Sequence, residues 1–172
     1  MRSRPSVYAA GDVAGRHLFT HSAGYEAVMA VRDMFFPGKG KTDELVPWCT
    51  FTDPELAHAG LTSAEAIEKH GEDDVETYRM ALEHSDRARA DGTDEGAIVL
   101  VTVKEKLVGA HIAAASAGEM IQECTLAIRQ GMKLRDLAAM VHVYPTVSTS
   151  IGMLAAEAAY DRAKRLRWLI RK

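Results

Sequence analysis

The chain has few of the residues that mark several functional classes. Its two cysteines, Cys49 and Cys124, stand far apart in 172 residues, so no Cys-x-x-Cys pair, zinc pattern or disulfide framework can be drawn from them. Each is expected to be a small buried apolar residue rather than a redox centre. No charge sign is in large excess: 21 Lys and Arg against 24 Asp and Glu give a net charge of -3. That balance offers no general attraction to nucleic acid or to an anionic membrane surface. The longest apolar stretch, around Ala97 to Val103, is far too short to cross a bilayer, and no signal-like run follows Met1-Arg2-Ser3-Arg4. A cytoplasmic protein with neither nucleic acid nor membrane as partner is expected. A Gly-x-Gly-x-x-Gly turn is missing too; Gly38-Lys39-Gly40 lacks the third glycine and a preceding strand. Seven histidines, His17, His58, His70, His84 and His111 among them, include no His-x-x-x-His pair with a third ligand in view, so no metal site is expected.

What is present reads as an ordinary folded protein, 47% hydrophobic and 26% charged. Val7-Tyr8-Ala9-Ala10 is a short apolar strand that runs into Gly11-Asp12, a turn with an exposed carboxylate. From Ser22 to about Phe35, the spacing of Ala23, Ala27, Val31 and Phe35 predicts a helix, closed by a polar loop at Pro37-Gly38-Lys39-Gly40-Lys41. A second segment opens with the strand Pro47 to Thr52. Thr62-Ser63-Ala64-Glu65 is a capping box, so a short helix follows and stops at Gly71. Val75 to Glu83 reads as a strand and Arg87 to Gly96 as an exposed turn. Ala97–Val103 and Leu107–Ala113 are β-branched runs joined by Lys104-Glu105-Lys106, which makes an antiparallel hairpin. Ser116 to Glu119 repeats the capping-box pattern and begins a helix with Ala117, Met120, Ile121, Cys124, Ala127 and Ile128 on one stripe and Gly131 as its stop. Leu134, Leu137 and Ala138 suggest a short helix, and a last helix is expected from Ser148 to about Trp168. The order indicates an α+β fold, an antiparallel β-sheet flanked by helices.

Taken in order, several pieces resemble one family. They are Val7-Tyr8-Ala9-Ala10-Gly11-Asp12, Thr20-His21-Ser22-Ala23, Phe51-Thr52-Asp53-Pro54-Glu55-Leu56-Ala57-His58-Ala59-Gly60-Leu61-Thr62, Gly109-Ala110-His111-Ile112, Ala117-Gly118-Glu119-Met120-Ile121 and Tyr144-Pro145-Thr146-Val147-Ser148. Together they resemble the dihydrolipoamide dehydrogenase, glutathione reductase and mercuric reductase family of pyridine nucleotide–disulfide oxidoreductases. The resemblance implies the end of an FAD-binding domain over residues 1–44 and a dimerisation domain over residues 45–172, pairing as a two-fold homodimer. It implies that Gly11-Asp12 is the second FAD fingerprint, with the Asp12 carboxylate accepting from a ribityl hydroxyl, and that the backbone at Thr20-His21 meets the flavin.

The same resemblance makes the closing loop informative. Disulfide reductases of this family carry a histidine general acid/base there, oriented by a glutamate and reaching the active site of the other subunit. Here Tyr144 stands at the histidine position and Thr149 at the glutamate position. Mercuric reductases share the tyrosine, but they end in a cysteine pair, whereas this chain ends in Arg171-Lys172. His142, two residues before Tyr144, is the alternative proton donor. The resemblance also suggests a cis Tyr144-Pro145 bond. The complete enzyme is expected to use FAD and NAD(P)H. This chain, without the pyrophosphate-binding turns and cysteine pair of the missing FAD and NAD(P)H domains, is expected to be inactive alone and to bind no cofactor stably. A stand-alone dimeric binding module without redox activity is the alternative.

Overall fold

Apolar residues followed by glycine and aspartate turn the chain near its start. Arg2–Arg4 (β1) pairs antiparallel with Val7–Tyr8 (β2). The backbone then bends through a 3-10 turn at Asp12–Ala14 and enters helix α1, Thr20–Phe35. The computed structural model describes residues 2–4, 7–36 and 44–165, in two units, Met1–Val46 and Pro47–Lys172. The expected loop at Pro37 to Lys41 and the extension of the last helix to Trp168 lie outside the described residues.

In α1 the buried residues are Ser22, Glu26 and Ala30, not the expected stripe of Ala23, Ala27, Val31 and Phe35. Val31 is 49% and Phe35 75% exposed. A carboxylate displaces an apolar residue from the inward position because its partners wait there. Glu26 accepts the Gly11 N–H at 2.8 Å and pairs with Arg16 at 2.8 Å.

The second unit is built on an antiparallel sheet. Its strands are Trp48–Thr50 (β3), Glu55–Gly60 (β4), Val75–Ala81 (β5), Ala97–Val103 (β6) and Lys106–Ala114 (β7), in the order β3-β4-β7-β6-β5. Its helices are Ser63–His70 (α2), Asp86–Asp91 (α3), Ala117–Gln130 (α4), Leu134–Ala138 (α5) and Thr149–Arg165 (α6). The expected α+β class is the one observed. No helix among the described residues is long and apolar enough to cross a membrane.

The period-2 pattern sets the two faces of the sheet. Ala57, Ile112, Ile98 and Met80 form one cross-strand row, and Ala59, Ala110 and Leu100 lie on the same face. These residues share a core with Met120, Ile121, Cys124 and Ala127 of α4 and Ile151, Leu154, Ala155 and Ala158 of α6. Each fully buried Leu or Ile there stabilises the fold by ~1.5–3 kcal/mol. Cys124 belongs to this core as expected; burial above all pushes its thiol up to about 12. Cys49, expected to be buried, is only partly so because it lies on edge strand β3.

Local chemistry explains most boundaries. The hairpin turn is tighter than three residues: Val103 pairs with Lys106, and Lys104 and Glu105 both take positive φ, 48° and 73°, the geometry that matches strand twist. The Thr62–Glu65 capping box forms in both directions. The Ser116 box does not. Ser116 makes no side-chain cap, and the Gly118 N–H instead donates to Glu55 Oε2 at 2.9 Å. Glu55 begins β4, so a residue 63 positions away does the work expected of a local hydroxyl. Glu55→Ala is expected to destabilise the fold by ~1 kcal/mol, the usual worth of a helix cap, read as a shift in the urea midpoint; an unchanged midpoint would remove the assignment. Arg87 to Gly96, expected to be an exposed turn, contains α3, because Ser85 caps Ala88 N–H and Ala88 is buried. Both Asp53-Pro54 and Tyr144-Pro145 are cis.

On the opposite sheet face, register places Trp48, His58, His111, Val99 and Arg79 in one row. Trp48 stacks on His58 at 5.0 Å, and His58 Nδ1 lies 3.0 Å from His111 Nδ1. His111 Nε2 is 3.3 Å from the Leu61 carbonyl, which can only accept. His111 Nε2–H therefore donates to Leu61, and His58 Nδ1–H donates to the bare His111 Nδ1. Burial, the larger cause, holds both below their ordinary 6.5, and for His111 the neighbouring His58 adds to it. Between the lowered folded values and 6.5 the unfolded chain binds more protons than the folded one, so stability falls as pH drops below 6.5. Thermal midpoints measured from pH 7.5 to 5 are expected to decline over that window and to flatten in a His58→Gln, His111→Gln double variant. An equal decline in the double variant would show that other groups carry it.

Candidate functional site

Two places carry the residues singled out in the sequence, one in each unit. In the first, Gly11 is buried with φ +75°, and a Cβ there would lie 3.0 Å from Ala23 Cβ. Only glycine lets the turn approach α1 this closely. Asp12, next to it, is exposed, and no hydrogen bond or ion pair engages its carboxylate among the described residues. Thr20 and His21, both exposed, begin α1. Phe19 at the N-cap supplies no capping oxygen, and its ring stacks on His21 at 5.3 Å. Beside them is a cleft of about 140 Å³ lined by Arg16, His17, Ser22, Tyr25, Glu26, Glu44 and Val46. Glu26 was not foreseen. The signal available for it was its place four residues from Ser22 and from Ala30, on a stripe of small residues.

The second place is the loop between α5 and α6. Val141 is 95%, Val143 77% and Tyr144 68% exposed, and Met140 is 44% exposed. A run of large apolar side chains in water is not explained by folding this unit alone. The loop is nevertheless well held. The Val143 carbonyl accepts from the Thr146 hydroxyl at 2.8 Å and the Thr149 hydroxyl at 3.0 Å. Thr149 therefore ties the loop to itself. The Tyr144 hydroxyl donates to Asp86 Oδ2 at 2.9 Å, and that bond, with the aspartate's charge, raises the phenol above its ordinary 10. The phenol is thus a neutral donor at physiological pH.

His142 lies apart from Tyr144's surroundings. Its side chain is 8% exposed, and its Nε2 sits 2.9 Å from Glu123 Oε1 on α4. Neither Glu123 nor Asp86 carries a sequence signal, since each sits in a locally ordinary helix and meets the loop only through the fold. Among the described residues there is no group of three or more His, Cys, Asp or Glu that could hold a metal ion.

Comparison with known proteins bears on the chain as a whole. The chain is 38% identical over 164 residues to the dihydrolipoyl dehydrogenase of Thermus scotoductus, covering 94% of this chain and 34% of that protein. It is 34% identical over 165 residues to the mercuric reductase of Staphylococcus aureus, covering 94% and 30%. Among solved structures, the HOCl-induced flavoprotein disulfide reductase RclA of Escherichia coli superposes with a TM-score of 0.81 at 23% identity, over 87% of this chain and 35% of that one. The last likeness concerns the fold. The chain thus spans about a third of the length of the relatives it matches. Residues 46–155 match the dimerisation domain of the pyridine nucleotide-disulphide oxidoreductases, and the chain belongs to that family.

Proposed function

We propose that this chain is the C-terminal part of an FAD-dependent NAD(P)H oxidoreductase of the dihydrolipoamide dehydrogenase and mercuric reductase type. Residues 1–44 close the FAD-binding domain, and residues 45–172 pair it into a homodimer. The observation that carries this reading is the exposed apolar loop Met140–Tyr144 on a dimerisation-domain fold. A second copy covering it would bury surface that folding leaves wet. The exposed Val31 and Phe35 of α1 call in the same way for a neighbour, which the missing domains supply.

The residues of the first unit fit part of a flavin. Asp12 offers an exposed acceptor beside a glycine that lets a ligand close to the backbone, and α1 begins nearby with the slight positive end of its dipole. A cleft of about 140 Å³ holds only a fraction of the cofactor, so the remainder lies against parts of the enzyme outside this chain. When bound, FAD supplies electron transfer. The chain's own part is to hold a ribityl hydroxyl at Asp12 and to approach the flavin with the backbone at Thr20 and His21. In the partner's active site Tyr144 presents a neutral phenol whose one proton is given to Asp86, so toward a substrate it offers an acceptor oxygen rather than an imidazole that gains and loses protons at neutral pH. Disulfide substrates are therefore disfavoured.

Light scattering of the purified chain, with its absorbance recorded in the same run, tests this. A dimer without flavin colour and without turnover is expected. A monomer that shows NAD(P)H oxidation by itself would reject the reading.

A further inference from the structure

The loop that carries Tyr144 is seated by the residue two positions before it. His142 turns inward, 8% exposed at its side chain, while Val141 and Val143 on either side are 95% and 77% exposed. One edge of its ring meets α4, where Nε2–H donates to Glu123 Oε1 at 2.9 Å. The other edge meets α6, where a Cβ placed on Gly152 would fall 2.6 Å from both Cε1 and Nδ1. The ring therefore rests on bare helix backbone, and only glycine leaves the space. Both helices are anchored in the main core. Nε2 is engaged by Glu123 and Nδ1 lies against Gly152, which leaves the ring little open edge for exchanging protons with a substrate.

From this geometry we infer that His142 is a positioning residue, and that Glu123 and Gly152 form its seat. The seat fixes how far Val143 and Tyr144 stand out from the surface, and with that the contact the loop offers the partner subunit and the bond between Tyr144 and Asp86. The subunit contact rests on the reading of the loop given above; the bond to Asp86 lies within one chain.

Gly152→Ala separates the seat from folding. Its methyl strikes the ring rather than backbone, and alanine is the better helix former. His142→Ala removes the ring, and Glu123→Gln keeps an acceptor oxygen for Nε2–H. Three quantities would be measured on the 172-residue chain: the titration of the Tyr144 phenol, isolated by subtracting the Tyr144→Phe spectrum, the dimer dissociation constant and the thermal midpoint. Gly152→Ala and His142→Ala are each expected to return the Tyr144 titration toward the ordinary tyrosine range and to weaken the dimer at least tenfold. The thermal midpoint of Gly152→Ala, compared at a concentration where parent and variant are both monomeric, should not fall, and Glu123→Gln should match the parent in all three. A Gly152→Ala chain with unchanged Tyr144 titration and a dimer constant within twofold of the parent would overturn the inference. Val143→Asp serves as the control on the subunit contact, because it charges the exposed loop without touching the seat. If that variant dimerises normally, the subunit-contact reading fails, while the Tyr144 titration still decides the seat.

Discussion

Gly109→Ala is expected to lower stability by ~3 kcal/mol or more, enough to unfold much of a marginally stable domain. A Cβ at this position falls 1.8 Å from the Leu61 carbonyl oxygen and 2.9 Å from its carbon. That peptide cannot move aside, because the Leu61 N–H donates to the Val108 carbonyl at 2.9 Å and the Leu61 carbonyl accepts from His111. The close approach has a cause in the register. Val101 pairs with Gly109 but Thr102 pairs with Leu107, so Val108 is an extra residue bulged out of the ladder, turned toward the end of β4. Gly60, opposite Gly109, is confined by the same bulge: its φ is +78°, and a Cβ there would lie 2.1 Å from the Val108 oxygen. Gly131→Ala is the comparison. It too has positive φ, 62°, but nothing lies within 4 Å of an added Cβ, so it should lose only the ~1–2 kcal/mol of a left-handed residue. Urea denaturation of the two variants measures both. Equal losses would mean that the contact with Leu61 at Gly109 costs no more than a left-handed alanine at Gly131.

The second large effect is expected at Glu26. Its carboxylate is 3% exposed and joins the Gly11 N–H to the Arg16 guanidinium. Glu26→Ala leaves a buried donor without an acceptor and a cation without its partner. Breaking a buried pair costs about 3–5 kcal/mol, and because Arg16 keeps 34% exposure and can turn to water, about 2–3 kcal/mol is the expected loss. Glu26→Gln, which retains an acceptor for Gly11, should lose about half as much. The direct readout is hydrogen exchange at the Gly11 amide. Protection there should drop sharply in Glu26→Ala and survive in Glu26→Gln, and in the complete enzyme flavin retention should follow the same order. A Gly11 amide equally protected in Glu26→Ala would show that the turn is held by something else.

Much of the fold could be read from local pattern. The hairpin at Lys104, the Thr62–Glu65 cap, the α4 stripe and the glycine stops at Gly71 and Gly131 all depend on residues within a few positions of one another. Reading failed where a distant partner overrode a local rule. Ser116 has the capping residues but loses the role to Glu55 across the fold. The apolar stripe of α1 faces outward because Glu26 has partners inside. Arg87 to Gly96 looked like an exposed turn because its charges concealed one buried alanine and a serine cap. His142 stands in an exposed loop, yet Glu123 and Gly152 enclose its ring.

The sequence by itself determined the class of fold, the family and the identity of the loop residues, since these follow from periodicity, cap chemistry and an ordered set of short motifs. The tertiary structure alone decided which carboxylates hold the fold and its two candidate sites. Glu26, Glu55, Asp86 and Glu123 are unremarked polar residues in the sequence, and they acquire roles only when folding brings each within hydrogen-bond reach of a donor, 15 residues away for Glu26 and up to 63 for Glu55. Hydrogen bonds act over about 3 Å, so a pairing of that kind leaves no trace in local spacing.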